Sequence, residues 1–270
     1  MPGILRIIHL APALTVVALS AALGAIMSIQ AGLEAPTPRL ALTTLAVAGS
    51  QVLTGALNDW ADRGRDRIVQ PGKPIPSGTV TPRDALTLAG AGAIVQLAAS
   101  VPLGWLPLSL GAVASGSAVA YNLWLSRTPF SVVPYLVSFG ILPVWVASGV
   151  GVPLGRVAAA PLLIGPFAAA AHLANTLRDF DADRMLGSRN LAQVLGRRAT
   201  HVTAVTLALA VGIGVGLALV IGGEASLPAI LIGGFGLAAV MAGAASPRWL
   251  WGGMLVAATC WTVAWALATG

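Results

Sequence analysis

Apolar runs of roughly 20 residues, the length an α-helix needs to cross a bilayer, recur along the whole of this sequence. Hydrocarbon tolerates only helices and closed barrels as spanning structures, because every backbone polar group must find its partner inside the protein. The runs here are continuous rather than alternating, which selects helices. Nine can be drawn, centred near Thr15, Val47, Ala91, Val113, Leu136, Pro166, Leu209, Leu237 and Val256. The breaks between them carry loop chemistry, among them Glu34-Ala35-Pro36-Thr37-Pro38, Pro71-Gly72-Lys73-Pro74, Ser126-Arg127-Thr128-Pro129 and Gly222-Gly223-Glu224. Only 9% of the residues are charged, against about 25% in a soluble domain. The expectation is an all-α polytopic membrane protein with nine transmembrane helices, residues 1–270 forming a single membrane domain. The first run follows one basic residue, Arg6, in the manner of a secretory leader, but further runs succeed it at once and it is read as the first span.

Orientation follows from the distribution of Lys and Arg, which favour the cytoplasmic side. With the N-terminus in the cytoplasm, every one of the 15 Lys and Arg residues except Arg39 and Arg156 falls on that side. The net charge of +6 then reflects cytoplasmic loops and an anionic ligand. No basic stripe interleaved with aromatics is present, so nucleic acid is not expected as a partner. The lone Cys260 excludes an intrachain disulfide and a multi-cysteine metal site.

Against this background the carboxylates are conspicuous. Of nine acidic residues, all but Glu34, Asp84 and Glu224 fall in two clusters, Asn58-Asp59-Trp60-Ala61-Asp62-Arg63-Gly64-Arg65-Asp66 and Asn175-Thr176-Leu177-Arg178-Asp179-Phe180-Asp181-Ala182-Asp183. Both contain Asn, three residues, Asp, three residues, Asp. Counting spans puts both on the cytoplasmic side. The frames stand 117 positions apart, about four helices with their loops, which suggests a duplicated four-helix unit with a ninth helix appended; repeats of this kind place a site at their interface.

Read as helix ends, residues four apart drift only about 40° around the axis, and Asp59, Asp62 and Asp66 lie within about 60° of one another. Asp179 and Asp183 are neighbours in the second cluster, while Asp181 points to the opposite face. Carboxylates crowded on one face repel unless a cation sits among them. Oxygen ligands without His or Cys suit Mg²⁺, which takes one or two carboxylates, keeps water and binds phosphate oxygens. Two such clusters can clamp a diphosphate, with Arg67, Lys73, Arg127 and Arg184 supplying further positive charge. The bland alternative, a solvated loop of alternating charge, explains one cluster alone about as well but not a matched pair. His9, His172 and His201 are unclustered and are assigned to packing.

Asn58-Asp59-Trp60-Ala61-Asp62-Arg63-Gly64-Arg65-Asp66, followed by Lys73-Pro74-Ile75-Pro76-Ser77-Gly78, resembles the first motif of the UbiA-type intramembrane prenyltransferases. Asp179, Asp183 and Gly187 resemble the second, and Tyr121 to Arg127 a shorter third feature. The resemblance runs the whole chain. It implies a nine-helix bundle around a central cavity capped on the cytoplasmic side, an isoprenyl diphosphate donor, a hydrophobic acceptor of aromatic, tetrapyrrole or glycerol-phosphate type, and two Mg²⁺ ions. On this resemblance Asn58, Asp62 and Asp66 would hold one ion and Asp179 and Asp183 the other, Asp59 would ligate or orient, Lys73 and Arg127 would neutralise the leaving diphosphate, and Arg67, Tyr121 and Arg184 would line the substrate. The Pro-Ile-Pro-Ser-Gly and Asn-Asp-Trp segments are similar to those of members that prenylate chlorophyll-type rings or archaeal lipid glycerols. A terpene cyclase on the same scaffold shares the ionisation step and is the alternative. A cation or lipid transporter would place its charges nearer mid-membrane, and the motif of the CDP-alcohol phosphotransferases is absent. Oligomeric state is not legible.

Overall fold

The computed structural model describes residues 3–33 and 37–269. Glu34, Ala35 and Pro36, and the side chain of Arg156, lie outside the described residues. The chain is helical: Gly3–Arg6 (α1), Leu10–Gln30 (α2), Pro38–Val69 (α3), Pro82–Ser100 (α4), Trp105–Leu123 (α5), Val133–Val150 (α6), Ala160–Arg178 (α7), Phe180–Met185 (α8), Leu191–Leu195 (α9), Arg197–Ile221 (α10), Leu227–Ala244 (α11) and Pro247–Thr269 (α12). Each of the nine apolar centres read from the sequence falls in one long helix, α2 to α7 and α10 to α12. Seven helices among the described residues are long and apolar enough to cross a membrane, so the chain is an integral, multi-pass membrane protein. The helices at Trp105–Leu123 and Pro247–Thr269 are not among those seven.

Two compact units divide the chain, Met1–Ser126 with Ile141–Ala158, and Arg127–Gly140 with Ala159–Gly270. The division falls inside α6, within a turn of Pro143, where the missing N–H and the ring break the helical hydrogen-bond ladder.

In the first unit α3 sets the geometry. Thr37 caps it, its hydroxyl accepting from Leu40 N at 3.0 Å, with Pro38 in the first turn. Its 32 residues make it about 48 Å long, well beyond the roughly 30 Å of hydrocarbon, and its C-terminal turns carry the first acidic motif. α3 packs closely on α4 through glycine. A Cβ on Gly49 would lie 2.6 Å from Gln96 N and 2.7 Å from Gly92 O, and one on Gly92 would lie 2.5 Å from Leu53 N. Small residues let helix backbones approach in this way where no hydrophobic force drives them together. A buried polar chain ties in α5: Ser50 Oγ and Ser115 Oγ share a hydrogen bond of 2.7 Å, Ser115 Oγ donates to Gln96 Oε1 at 2.7 Å, and Gln96 Nε2 donates to Gly111 O at 2.8 Å. Asp84, one of the acidic residues outside both clusters, completes a capping box with Thr81 at the start of α4.

The core of the second unit gathers Ala170, Leu173, Ala174 and Leu177 of α7 with Phe180, Ala204, Ala208, Val240, Leu250 and Met254. Trp261 of α12 fits against Gly212 and Gly236 and donates Nε1–H to Gly233 O at 3.2 Å. His172 of α7 is buried and stacks on Tyr135 of α6, ring centroids 4.1 Å apart.

Candidate active site

The first motif occupies the last three turns of α3 and the loop that follows. Asp59 and Asp66 are seven residues apart, two turns along one line of the helix, and both are buried, 2% and 1% exposed. Lys73 Nζ bridges them, donating to Asp59 Oδ1 at 3.0 Å and to Asp66 Oδ2 at 2.9 Å. The loop that delivers Lys73 is fixed by its own chemistry. Ser77 N donates to Lys73 O at 2.9 Å, Val80 N to Pro74 O at 3.1 Å, and Gly78 takes a φ of +77°, a region glycine enters without steric cost. Pro74 and Ile75 are buried beneath it. Burial works against the charge on Lys73, but the hydrogen bond to Asp66 and the charge of Asp59 outweigh it. The ammonium is therefore held above the ordinary value of 10.5.

Asn58 Nδ2 donates to Asn122 Oδ1 at 3.2 Å and, at 3.4 Å, toward Asp62 Oδ2. Asn122 in turn donates to Thr54 O at 2.9 Å, which locks the amide of Asn58 with its nitrogen on the protein side. Asp62 is half-buried. Asp66 Oδ1 is buried with no hydrogen-bond partner, an exception among buried carboxylate oxygens that calls for an explanation. Among the described residues no three His, Cys, Asp or Glu side chains gather into a cage of their own. Mg²⁺ is usually held by one or two carboxylates completed by water and phosphate oxygens rather than by an all-protein cage, and the unpartnered Asp66 Oδ1 is a donor such an ion would use. Tyr121 stands in the last turn of α5, half-buried, and Arg67 is exposed at the end of α3.

The second motif differs from the single helix end read in the sequence. α7 stops at Arg178, Asp179 is its C-cap at φ −98° and ψ 10°, and the short α8 begins at Phe180. Asp183 N nevertheless donates to Asp179 O at 2.8 Å, so the two aspartates remain one turn apart. Gly187 at φ +70° then ends α8 in a Schellman turn, with Ser188 N donating to Asp183 O at 2.9 Å and Gly187 N to Arg184 O at 3.1 Å. The reversal brings back Asn190, whose Nδ2 donates to the buried Asp183 Oδ2 at 2.8 Å while its Oδ1 caps α9 by accepting from Gln193 N at 3.0 Å. Asp179 is half-buried, and Arg184 and Arg127 are exposed. The Arg127 carbonyl accepts from Arg189 N at 3.1 Å. Asp181 faces away, its side chain 82% exposed and paired with Arg197.

Three residues of these sites escaped the sequence reading. Asn190 announced itself only as a helix cap, an Asn three residues before Gln193. Asn122 lies within the Tyr121 to Arg127 feature, but nothing in the sequence singles it out. His9 had been assigned to packing, yet its Nε2 lies 3.1 Å from Asp59 Oδ1. Lys73, expected on the diphosphate, is engaged with Asp59 and Asp66.

In sequence, residues 17–241 match the UbiA prenyltransferase family. A digeranylgeranylglyceryl phosphate synthase of Natronomonas pharaonis is 32% identical over 173 residues, covering 62% of this chain and 62% of that protein. The bacteriochlorophyll synthase 33 kDa chain of Cereibacter sphaeroides is 32% identical over 184 residues, covering 62% of this chain and 59% of that one. The chain thus matches less than two thirds of the length of these curated relatives. Among solved structures, a UbiA homologue from Aeropyrum pernix K1 superposes with a TM-score of 0.71 at 18% identity, over 90% of this chain and 96% of its own. A UbiA homologue from Archaeoglobus fulgidus bound to GPP and Mg²⁺ superposes with a TM-score of 0.70 at 15% identity, over 99% of this chain and 100% of its own. At these identities the structural likeness establishes the fold.

Proposed function

Because the chain belongs to the UbiA prenyltransferase family, we propose that it moves an isoprenyl group from an isoprenyl diphosphate to a lipophilic acceptor, with Mg²⁺ as cofactor. All nine long helices cross the membrane and the N-terminus is cytoplasmic, which sets both motifs at the cytoplasmic face. The observation that carries this reading is the buried Asp66 carboxylate, whose Oδ1 has no partner in the protein and stands one turn from Asp62. Asn58, Asp62 and Asp66 would hold one ion, and Asp179 with Asp183 a second. Mg²⁺ bound there would offset the charge that develops on the departing diphosphate as its C–O bond breaks.

The rest falls to the chain's own groups. Asn122 fixes the Asn58 amide and Asn190 fixes the Asp183 carboxylate, so neither site must reorganise when the donor arrives. Lys73, Arg67, Arg127 and Arg184 give the diphosphate its counter-charge. Tyr121 contacts the donor. The apolar side chains around the prenyl tail exclude water that would quench an allylic cation. The relatives point to an acceptor such as a glycerol-phosphate lipid or a tetrapyrrole ring.

The test is turnover by the full chain in lipid nanodiscs, given Mg²⁺ and donors of different length against glycerol-phosphate, tetrapyrrole and quinone-precursor acceptors. A prenylated product with diphosphate release is expected, abolished in Asp62→Ala. Formation of a cyclic hydrocarbon without acceptor would assign the chain to terpene cyclisation. Wild-type turnover in Asp62→Ala would remove the metal assignment.

A further inference from the structure

We propose that His9 is a positioning residue of this site: by holding Asp59 it allows Lys73 to leave that carboxylate and meet the donor's diphosphate. The inference rests on the function proposed above and concerns a residue outside every motif of the sequence.

His9 is the only non-glycine residue at positive φ among the described residues, at φ 50° and ψ 58°. It occupies the N-cap of α2, yet its side chain caps nothing there. A left-handed backbone at a residue with a Cβ is unfavourable and persists only where the surroundings over-determine it. Here they do. Ile7 is fully buried among Ala56, Leu57, Ile75 and Val80. The Ile8 backbone lies so close to α3 that a Cβ on Gly55 would stand 2.8 Å from Ile8 O. Arg6 Nη2 donates to Gly72 O at 3.1 Å. The N-terminal segment is thus pinned to both sides of the first motif, to the helix that bears Asp59 and to the loop that bears Lys73. What the unusual backbone achieves is the aim of the imidazole, carried 50 positions along the chain to Asp59.

His9 Nε2 and Lys73 Nζ meet the same oxygen, Asp59 Oδ1, at 3.1 and 3.0 Å. Asp59 is 2% exposed, so it cannot be left in the interior without a partner. If Lys73 were its sole partner, turning the ammonium toward a diphosphate would strand a buried carboxylate. With His9 in place Asp59 keeps a hydrogen bond, and the ion proposed at Asp66 would take over that carboxylate when the donor arrives, so Lys73 is free to exchange. His9 need not touch substrate to have this effect.

The experiment measures binding of geranyl diphosphate with Mg²⁺ to the full chain in nanodiscs, together with the melting temperature, for wild type, His9→Gly, His9→Gln and each in a Lys73→Met background. Glycine accepts the left-handed backbone but offers no side chain, and glutamine places an N–H at a reach similar to that of Nε2. His9→Gly is expected to weaken binding about tenfold, the effect of one hydrogen bond to a charged group, while melting close to wild type because relief of the backbone offsets the lost bond. His9→Gln should recover binding to within about threefold. In the Lys73→Met background removal of His9 takes the last of these two partners from Asp59, so the melting temperature should fall further, while the affinity of the protein that remains folded should not. Wild-type affinity in His9→Gly overturns the proposal, as does an equal loss with and without Lys73. Absence of geranyl diphosphate binding by the wild-type chain would instead defeat the functional reading on which it stands.

Discussion

Replacing Lys73 with Met isolates the electrostatics of the first motif. The substitution preserves most of the side chain's bulk but removes the ammonium that stands 3.0 Å from Asp59 Oδ1 and 2.9 Å from Asp66 Oδ2. Asp59 retains His9. Asp66, 1% exposed, loses the partner of Oδ2 while Oδ1 already has none. Removing one member of a buried ion pair typically costs about 3–5 kcal/mol. Lys73 is 20% exposed on its side chain, so the lower end applies, about 3 kcal/mol. At roughly 2–4 °C per kcal/mol for a chain of this size, the melting temperature without Mg²⁺ should fall by about 6–12 °C. The liberated carboxylate then becomes a better cation site, and a ligand that binds only the folded state stabilises it in proportion to the logarithm of its concentration. Titrating Mg²⁺ into Lys73→Met should therefore restore at least half of the loss, and stabilise the wild type less. The pH dependence has a definite sign. The Lys73 pKa is raised on folding, so its stabilising contribution is complete below the ordinary lysine value and is lost as the pH climbs through the higher, folded-state value. Thermal melts of detergent-solubilised protein across Mg²⁺ concentration and alkaline pH read all of this. A variant that melts within about 2 °C of wild type, or one that Mg²⁺ fails to rescue, would refute the assignment of Asp66 as a metal ligand held in check by Lys73.

Three further outcomes follow from the geometry. Asn190→Asp retains an acceptor to cap α9 but sets a carboxylate against Asp183, so it should keep the fold and lose Mg²⁺-dependent geranyl diphosphate binding; Asn190→Ala, which loses both bonds, should in addition cost about 1–2 kcal/mol in a chemical-denaturation series. Gly49→Val would drive side-chain atoms into the α4 backbone at Gln96 and Gly92, and purified protein should be aggregated or obtained in greatly reduced yield on size exclusion, whereas the same change at Gly64, with nothing near its Cβ position, should be accepted. Asp181→Asn removes only an exposed pair with Arg197, and both stability and donor affinity should stay within experimental scatter of wild type.

How far these features were legible in the sequence depends on the range of the interaction that made them. The long helices were readable because lipid imposes a length and a composition on each segment separately, and the nine centres fall in nine long helices, seven of them long and apolar enough to span. The acidic frames were readable because i, i+4 spacing is a property of one helix. The interruption at Asp179 was not, since a break of one residue leaves the spacing of Asp179 and Asp183 almost unchanged. The partners of the carboxylates were hidden for a different reason. His9 reaches Asp59 across 50 positions and Asn58 reaches Asn122 across 64, and no local pattern encodes a contact made only when α2, α3 and α5 pack. Lys73 was placed near the right groups by its spacing in the loop, but whether an ammonium turns to a ligand or to neighbouring aspartates is settled by burial, which the sequence does not display.

The central claim, that these carboxylates hold metal for a diphosphate, is tested most directly with Mn²⁺ in place of Mg²⁺ and geranyl diphosphate as probe, by phosphorus couplings in electron–nuclear double resonance on the full chain. Coupling of ³¹P to protein-bound Mn²⁺ is expected in the wild type, with a lower count of bound metal in both Asp66→Asn and Asp183→Asn. Absence of phosphorus coupling, or bound metal undiminished in both variants, would contradict it.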